Sequence, residues 1–244
     1  MKIKMSLRNL DRQEVLAQQR ADLGAERKRI EQAYAVAVLD DMAAYVRAAC
    51  PPAVYVTFAY DGASRTPELL GVLGAQPSRL GACPWLWDGN ARAHPLNDYA
   101  DRLAQDLREA LAPADSPAWA TVGPNAAGEG NSWLLELPPP DRAVRVAELV
   151  RQHYANAIAV VVDQRRAGGQ VIEIVEGFGR GGAETRTTPA PWPCRCGDAI
   201  ARLVVQMFAL PSLADRHFTQ VYDYLHPYGG PSDLVRVMPL PPTE

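Results

Sequence analysis

The sequence predicts an α+β fold, in which a long N-terminal helix, three helix–strand–turn–strand units and a C-terminal helical pair surround one mixed sheet. Three observations support this prediction. The first 50 residues are compatible with helix, short β-type runs alternate with amphipathic helices after Pro52, and two apolar helical segments follow near the C-terminus. A chain of 244 residues is long enough for one large domain or two small ones.

The N-terminal helix is expected to begin near Asp11, because Asp11 and Glu14 have the spacing of a capping box. It is expected to end before the Pro51-Pro52 pair, since proline breaks helices. Gly24 leaves open whether this stretch forms one helix or two, because glycine commonly terminates helices. From Ile30 onward apolar residues recur at helical spacing, which predicts that this half packs against the body of the protein.

The segment before Ile30 has a different character. It is rich in charge and carries three apolar residues seven positions apart, Leu16, Leu23 and Ile30. The positions that would complete a coiled-coil heptad hold charged or polar residues, so a coiled coil is only weakly indicated. We therefore predict a charged helical arm at residues 1–29 and a single α+β globular domain at residues 30–244.

Three units share the order helix, strand, turn, strand. Their helices are expected at residues 30–49, 98–111 and 141–154, and their strand pairs at 54–60 with 69–73, 119–122 with 133–137, and 157–162 with 171–176. A long loop is predicted at 177–193, the C-terminal helical pair at 198–210 and 212–225, and a last strand at 234–238. Residue identity between the units is slight, so the sequence indicates a recurring architecture and not a duplication.

Composition excludes several classes of function. The net charge of −3 and the pI near 5.9 provide no overall field that attracts nucleic acid or an anionic membrane. No apolar stretch is long enough to cross a bilayer, and the N-terminus lacks the apolar block of a signal peptide. Lysine occurs only at positions 2, 4 and 28, which excludes a lysine-dependent site in the rest of the chain. We expect a soluble, cytoplasmic protein with reduced cysteines.

Two residue pairs are candidates for catalysis. Asp163 and Glu173 fall on adjacent predicted strands, where two carboxylates could hold Mg²⁺ for phosphoryl transfer. Cys196 lies at the start of a predicted helix, where a thiol can have a lowered pKa, and His217 on the last helix could act as its base. Structural roles are the favoured interpretation of all four residues, so no metal site or cofactor is assigned.

A glycine-rich segment after the third unit is the one candidate for ligand binding. Gly177, Gly179 and Gly182 match the G-x-G-x-x-G pattern, with Arg180 between them. A dinucleotide site requires the third glycine to open a helix, and the Thr- and Pro-rich sequence that follows does not predict one. A loop in which Arg180 contacts a partner is the favoured interpretation.

These observations favour a non-catalytic protein-interaction or accessory module, which acts through the N-terminal helix or the Gly/Pro-rich loops. Its partner is expected to be another protein or a second copy of the chain, with neither a membrane nor nucleic acid indicated. The alternative is a small hydrolase or metal-dependent phosphodiesterase that uses Asp163 with Glu173, or Cys196 with His217.

Overall fold

The computed structural model describes residues 2–61, 66–75, 84–89, 91, 93–125, 131–164, 170–177, 184–189, 192, 194–220 and 235–242. These residues form two consecutive units with their helices and strands in the same order. Unit one comprises α1 (Lys2–Ala49), β1 (Ala53–Tyr60), β2 (Pro67–Gly74), β3 (Trp85–Asp88), α2 (Ala100–Leu111), β4 (Val122–Pro124) and β5 (Ser132–Glu136). Unit two comprises α3 (Arg142–Arg151), β6 (Ala157–Asp163), β7 (Gln170–Gly177), β8 (Glu184–Thr187), α4 (Cys194–Ala209), α5 (Pro211–His217), β9 (Thr219–Gln220) and β10 (Val235–Pro239).

Each unit has its own five-stranded antiparallel sheet. The strand order is β3-β2-β1-β5-β4 in unit one and β8-β7-β6-β10-β9 in unit two, so the two orders correspond strand for strand. The α+β class is therefore confirmed. The predicted single mixed sheet is wrong, because every described pairing is antiparallel and the strands divide between two sheets. Hydrophobic periodicity identifies a strand locally but does not determine which strand pairs with it.

The strand register shows how closely the units correspond. In unit one Val56 of β1 pairs with Val72 of β2 and Leu135 of β5. In unit two Val160 of β6 pairs with Ile174 of β7 and Met238 of β10. All six side chains are buried. The chain therefore has two longer units in place of the predicted three short ones. Each begins with a helix and three strands, continues with one or two further helices and ends with two strands.

The helices of each unit cover one face of its sheet. In unit one Met42 of α1 and Leu107 of α2 pack with Phe58 of β1 in one core cluster. In unit two Val146 of α3 and Val204 of α4 belong to the corresponding cluster. Burying one such side chain contributes about 1.5–3 kcal/mol, so these helix–sheet layers hold each unit together.

The N-terminal helix is a single element that runs through Gly24 without a break. It begins at Lys2, earlier than the predicted start at Asp11. Residues 12–31 are exposed around the whole helix, and burial in the core begins at Ala35. The helix therefore projects from unit one, although the division of the chain at residues 29 and 30 stays a prediction.

The C-terminal helical pair is shorter than predicted. The second helix, α5, ends at His217 and not at residue 225, since Phe218 turns into the core and Thr219 already pairs with β10. Residues 221–225 lie outside the described residues. The predicted loop at 177–193 is also interrupted, because β8 pairs with β7. The four residues of β8 are all exposed and polar, so no alternation of apolar residues indicates a strand there.

Within the described part of the chain, no single helix has the length and hydropathy needed to cross a membrane. One pair, Cys196–Ala209 with Pro211–His217, satisfies that test by length and composition, and the pair is bent by 113° at its break.

Candidate functional site

The two carboxylates predicted to share a metal lie on one face of the second sheet. Glu173 pairs with Val161, and Asp163 follows two positions later on the same strand face, away from the helices. Arg186 of β8 approaches Glu173 at 3.9 Å. No group of three or more His, Cys, Asp or Glu side chains that could hold a metal ion occurs in the described ranges. The structure therefore places Asp163 and Glu173 near each other without a third ligand among the described residues.

Cys196 and His217 are not brought together. Cys196 lies in the first turn of α4 and His217 at the end of α5, and the helix from Cys196 to Ala209 alone spans about 20 Å. The Cys196 thiol lies 3.8 Å from the carbonyl oxygen of Leu149. Burial raises the pKa of Cys196, and the positive charge of Arg145 opposes this only in part. A thiol in this setting is a weaker nucleophile than a free cysteine at neutral pH.

The glycine-rich segment is described only at its start. Gly177 ends β7, where a Cβ atom would lie 3.2 Å from the side chain of Ile158. Gly179, Arg180 and Gly182 lie outside the described residues. The next described element is the strand β8, whereas a dinucleotide site would place a helix there. Close packing against Ile158 accounts for the glycine at position 177.

A buried arginine joins the two units. Arg142, at the start of α3, is only 7% exposed. Its Nη1 and Nη2 atoms donate to the two carboxylate oxygens of Asp40 on α1, at 3.1 and 2.5 Å. Its Nε donates to Oε1 of Gln206 on α4, at 2.9 Å. One planar guanidinium therefore connects three helices, a geometry that a lysine ammonium could not supply.

The proline segment at residues 138–140 connects the units next to this arginine. Arg47 of α1 donates to the carbonyl oxygens of Pro138 and Leu137, at 2.6 and 3.2 Å. Burial lowers the pKa of Arg47. Because proline has no N–H and a fixed φ, this segment leaves its carbonyl groups available to such donors. The connection between the units is therefore held by arginines from both of them.

A cleft of about 470 Å³ opens beside the proline segment, and we call it the junction cleft. Its walls come from α1, the proline segment, the start of α3, the end of α4 and α5. His217, one of the predicted catalytic residues, lies at this cleft beside Arg216. Sequence reasoning missed the site because its residues are spread from position 40 to position 217. The three consecutive prolines were the only local signal.

The projecting segment of α1, residues 12–31, presents the second candidate surface. Leu16, Leu23 and Ile30 are 44%, 71% and 55% exposed, and we call these three residues the arm stripe. The base of the segment is attached to unit one by Lys28, which forms an ion pair with Asp115 at 2.5 Å. Beyond that point the helix is stabilised by its own side-chain pairs, such as Gln18 with Asp22 and Glu26 with Arg29.

Comparison with known proteins supplies no relative. The sequence matches no protein-family model, and searches of curated proteins and of solved structures each found no significant match.

Proposed function

We propose that this chain is a non-catalytic protein-interaction module whose projecting segment binds an amphipathic helix of a partner protein in the cytoplasm. The observation that carries the proposal is the arm stripe, in which three large apolar side chains are exposed at seven-residue spacing. Large apolar side chains grouped on one exposed face are a common mark of a protein-interaction surface.

The spacing favours a helical partner over an extended one. Residues seven apart lie almost above one another on a helix, so the arm stripe forms one narrow apolar line. A second helix packed along that line would meet all three side chains at once. Each of them would contribute up to roughly 1.5–3 kcal/mol when fully buried.

The charges beside the stripe indicate what the partner helix carries. Arg20 and Arg27 lie on one side of the line, where Arg27 also pairs with Glu31 at 3.5 Å, and Glu26 lies on the other side, at 100° per residue from Leu16. All three side chains are exposed. A partner helix with acidic residues facing Arg20 and Arg27 would be favoured by charge, and a basic one would be repelled.

Photo-crosslinking in cells that express the full chain tests this proposal. A photoreactive residue at Leu23 should crosslink to one defined helical segment that carries apolar residues in a heptad pattern. The same residue at Ala25, on the opposite side of the helix, should give no such product. Crosslinks that are equally frequent from both positions, or that map to many unrelated sequences, would contradict the proposal.

Two double variants that introduce the same charge on opposite faces of the helix provide a matched control with the purified partner. The double substitution Leu16→Glu and Leu23→Glu should reduce affinity at least about 100-fold, since two buried apolar contacts are lost. Ala21→Glu with Ala25→Glu adds the same charge on the opposite face and should leave affinity within about twofold. If the crosslinked segment belongs to a second copy of this chain, the solution mass of the purified protein should double and the first pair should abolish the doubling.

The hydrolytic alternative remains a separate hypothesis. Of its two residue pairs, Asp163 and Glu173 are the closer, whereas Cys196 and His217 lie at different ends of two helices. A divalent cation at this site should raise the unfolding temperature of the protein, and Asp163→Asn should remove that shift. Absence of any shift with Mg²⁺ or Mn²⁺ would leave the alternative without support.

A further inference from the structure

We propose that the junction cleft is a binding site for a small organic carboxylate, that is, a ligand with one anionic head and a short apolar body. The cleft lies between the two units and is separate from the projecting segment. This inference therefore goes beyond the helix-binding role and does not depend on it.

The charge of the cleft favours an anion. Its lining contains three arginines, Arg47, Arg142 and Arg216, against two carboxylates, Asp40 and Asp141. The chain as a whole has a net charge of −3, so this local excess of positive charge runs against the overall balance. Fixed positive charge in a concave site raises the local concentration of anions.

The two carboxylates of the cleft are already engaged. Asp40 accepts both hydrogen bonds from Arg142, and Asp141 accepts from the backbone N–H groups of Ala143 and Val144 at the start of α3. Neither carboxylate is therefore available to neutralise a further cation in the cleft.

The arginine at the mouth of the cleft has no such partner. The side chains of Arg216 and His217 form no hydrogen bond or ion pair with any part of the chain that the structure describes. Both residues lie in the last turn of α5. A guanidinium in this position can hold a carboxylate through two parallel hydrogen bonds.

The rest of the lining indicates an organic ligand and not an inorganic anion. Ala44 of α1 and Leu213 of α5 are at least partly exposed and contribute apolar surface, and Pro139 and Pro140 supply ring surface. A volume of about 470 Å³ lies within the usual range of small-molecule sites. A carboxylate with an apolar body would place its head at Arg216 and its body against these side chains.

Calorimetric titration of the full chain with matched probes tests this inference. The probes are 4-phenylbutyrate, its neutral amide 4-phenylbutyramide, and inorganic phosphate. The carboxylate should bind at least about tenfold more tightly than the amide, because the charge-assisted hydrogen bonds to Arg216 are lost in the neutral compound. Phosphate should bind more weakly than the carboxylate, since it lacks the apolar body.

Substitutions locate the binding. Arg216→Gln should weaken binding of 4-phenylbutyrate about tenfold, and His217→Gln should weaken it by a smaller factor. Arg12→Gln removes the same charge from the projecting segment and should leave the affinity unchanged, as should the pair Leu16→Glu and Leu23→Glu. Both cleft substitutions are at the rim of the cleft, so circular dichroism should show an unchanged fold.

Several results would overturn the inference. Equal affinity for the carboxylate and the amide would show that charge does not select the ligand. If phosphate binds as tightly as 4-phenylbutyrate, the apolar body of the ligand does not contribute to binding and the proposal is wrong. Binding that persists unchanged in Arg216→Gln would place the probe elsewhere, and no binding of 4-phenylbutyrate at millimolar concentration would end the proposal.

Discussion

Unit one and unit two have the same strand order, yet their equivalent edge strands are used differently. Trp87 of β3 pairs with Val72, and Thr187 of β8 occupies the corresponding position opposite Ile174. Trp87 is 2% exposed and belongs to the core of unit one, whereas all four residues of β8 are exposed. The comparison teaches that the central strands define this fold, while the edge strand is free to become part of the core or to stay outside it.

The first helix of each unit, α1 in unit one and α3 in unit two, is also used differently. Helix α3 has 10 residues and is capped by Asp141, whose Oδ1 accepts from two backbone N–H groups. Helix α1 has 48 residues, of which residues 12–31 touch no core. Since unit two forms its layer with a helix of 10 residues, the extra length of α1 is not required by the fold. That length is what the proposed interaction uses.

The largest expected effect is a difference in stability between equivalent substitutions in the two edge strands, β3 and β8. Trp87→Ala should lower the free energy of unfolding by about 3–5 kcal/mol, because it removes a buried ring and the hydrogen bond from Nε1 to Asn97 Oδ1 at 2.8 Å. Thr187→Ala, at the equivalent position of unit two, should change it by less than about 0.5 kcal/mol. Urea unfolding followed by circular dichroism measures both. Similar losses for the two substitutions would show that β8 is covered in solution.

Local patterns in the sequence predicted much of unit two. Helix α3 and the hairpin of β6 and β7 lie within a few residues of their predicted positions. The sequence has a continuous apolar run at 157–162, typical of a strand, and a glycine pair at 168–169, typical of a turn before the next strand. The edge strand β8 was missed, since its polar residues are held by backbone pairing with β7 and have no pattern of their own. The pairing of strands into two sheets depends on contacts between distant residues, which periodicity does not report.

The candidate sites show the same limit. The arm stripe was recognised from its seven-residue spacing, because that signal lies within one helix. Arg142 has no such local signal, and it is buried against Asp40 and Gln206. Its partners are about 100 and 60 positions away in the chain, so only the folded structure identifies this arginine as the link between the units.

The second prediction concerns that link. Arg142→Met should lower the free energy of unfolding by about 2–4 kcal/mol, since it leaves Asp40 and Gln206 without their donor; the partial exposure of Asp40 limits the loss. Arg145→Met, one turn later and exposed, removes only an ion pair with Glu148 and should cost at most about 0.5 kcal/mol. Trp192 is the only tryptophan of unit two, so the fluorescence of Trp192→Phe reports unit one alone, and Arg142→Met in that background should separate the fluorescence transition from the transition of the whole chain by circular dichroism. Coincident transitions in Arg142→Met would argue that other contacts couple the units.

A smaller effect is expected in the part of α1 that unit two lacks. Gly24 has no atom within 4 Å of the position where a Cβ would lie, so Gly24→Ala introduces no clash. Alanine should stabilise the projecting segment by about 0.5–1 kcal/mol, because glycine loses more backbone entropy in a helix. Hydrogen exchange of residues 12–31 should slow several-fold while the urea midpoint of the cores stays unchanged. A shift of that midpoint would mean that the segment is coupled to the core of unit one.

The smallest expected effect is a pH dependence of stability that arises between α1 and α2 and not between α3 and α4. Tyr45 of α1 donates to Asp106 of α2 at 2.9 Å, whereas the bond between Arg142 of α3 and Gln206 of α4 involves no carboxylate. Burial raises the pKa of Asp106, and the Tyr45 hydrogen bond and the charge of Arg102 oppose this only in part. A raised folded pKa contributes stability that is fully present below the unfolded value near 3.9 and is lost as pH rises through the folded value.

Unfolding of the wild type and of Asp106→Asn, measured from pH 3 to 7, isolates this contribution from the other carboxylates. The stability of the wild type relative to the variant should fall by roughly 0.5 kcal/mol or less over that range, because Asp106 keeps some contact with water. Ala143→Ser in α3 serves as a control without a titrating group and should show a constant difference. A relative stability that rises with pH would mean that the contacts with Tyr45 and Arg102 outweigh the burial of Asp106, and that the polar contacts between α1 and α2 favour the charged carboxylate.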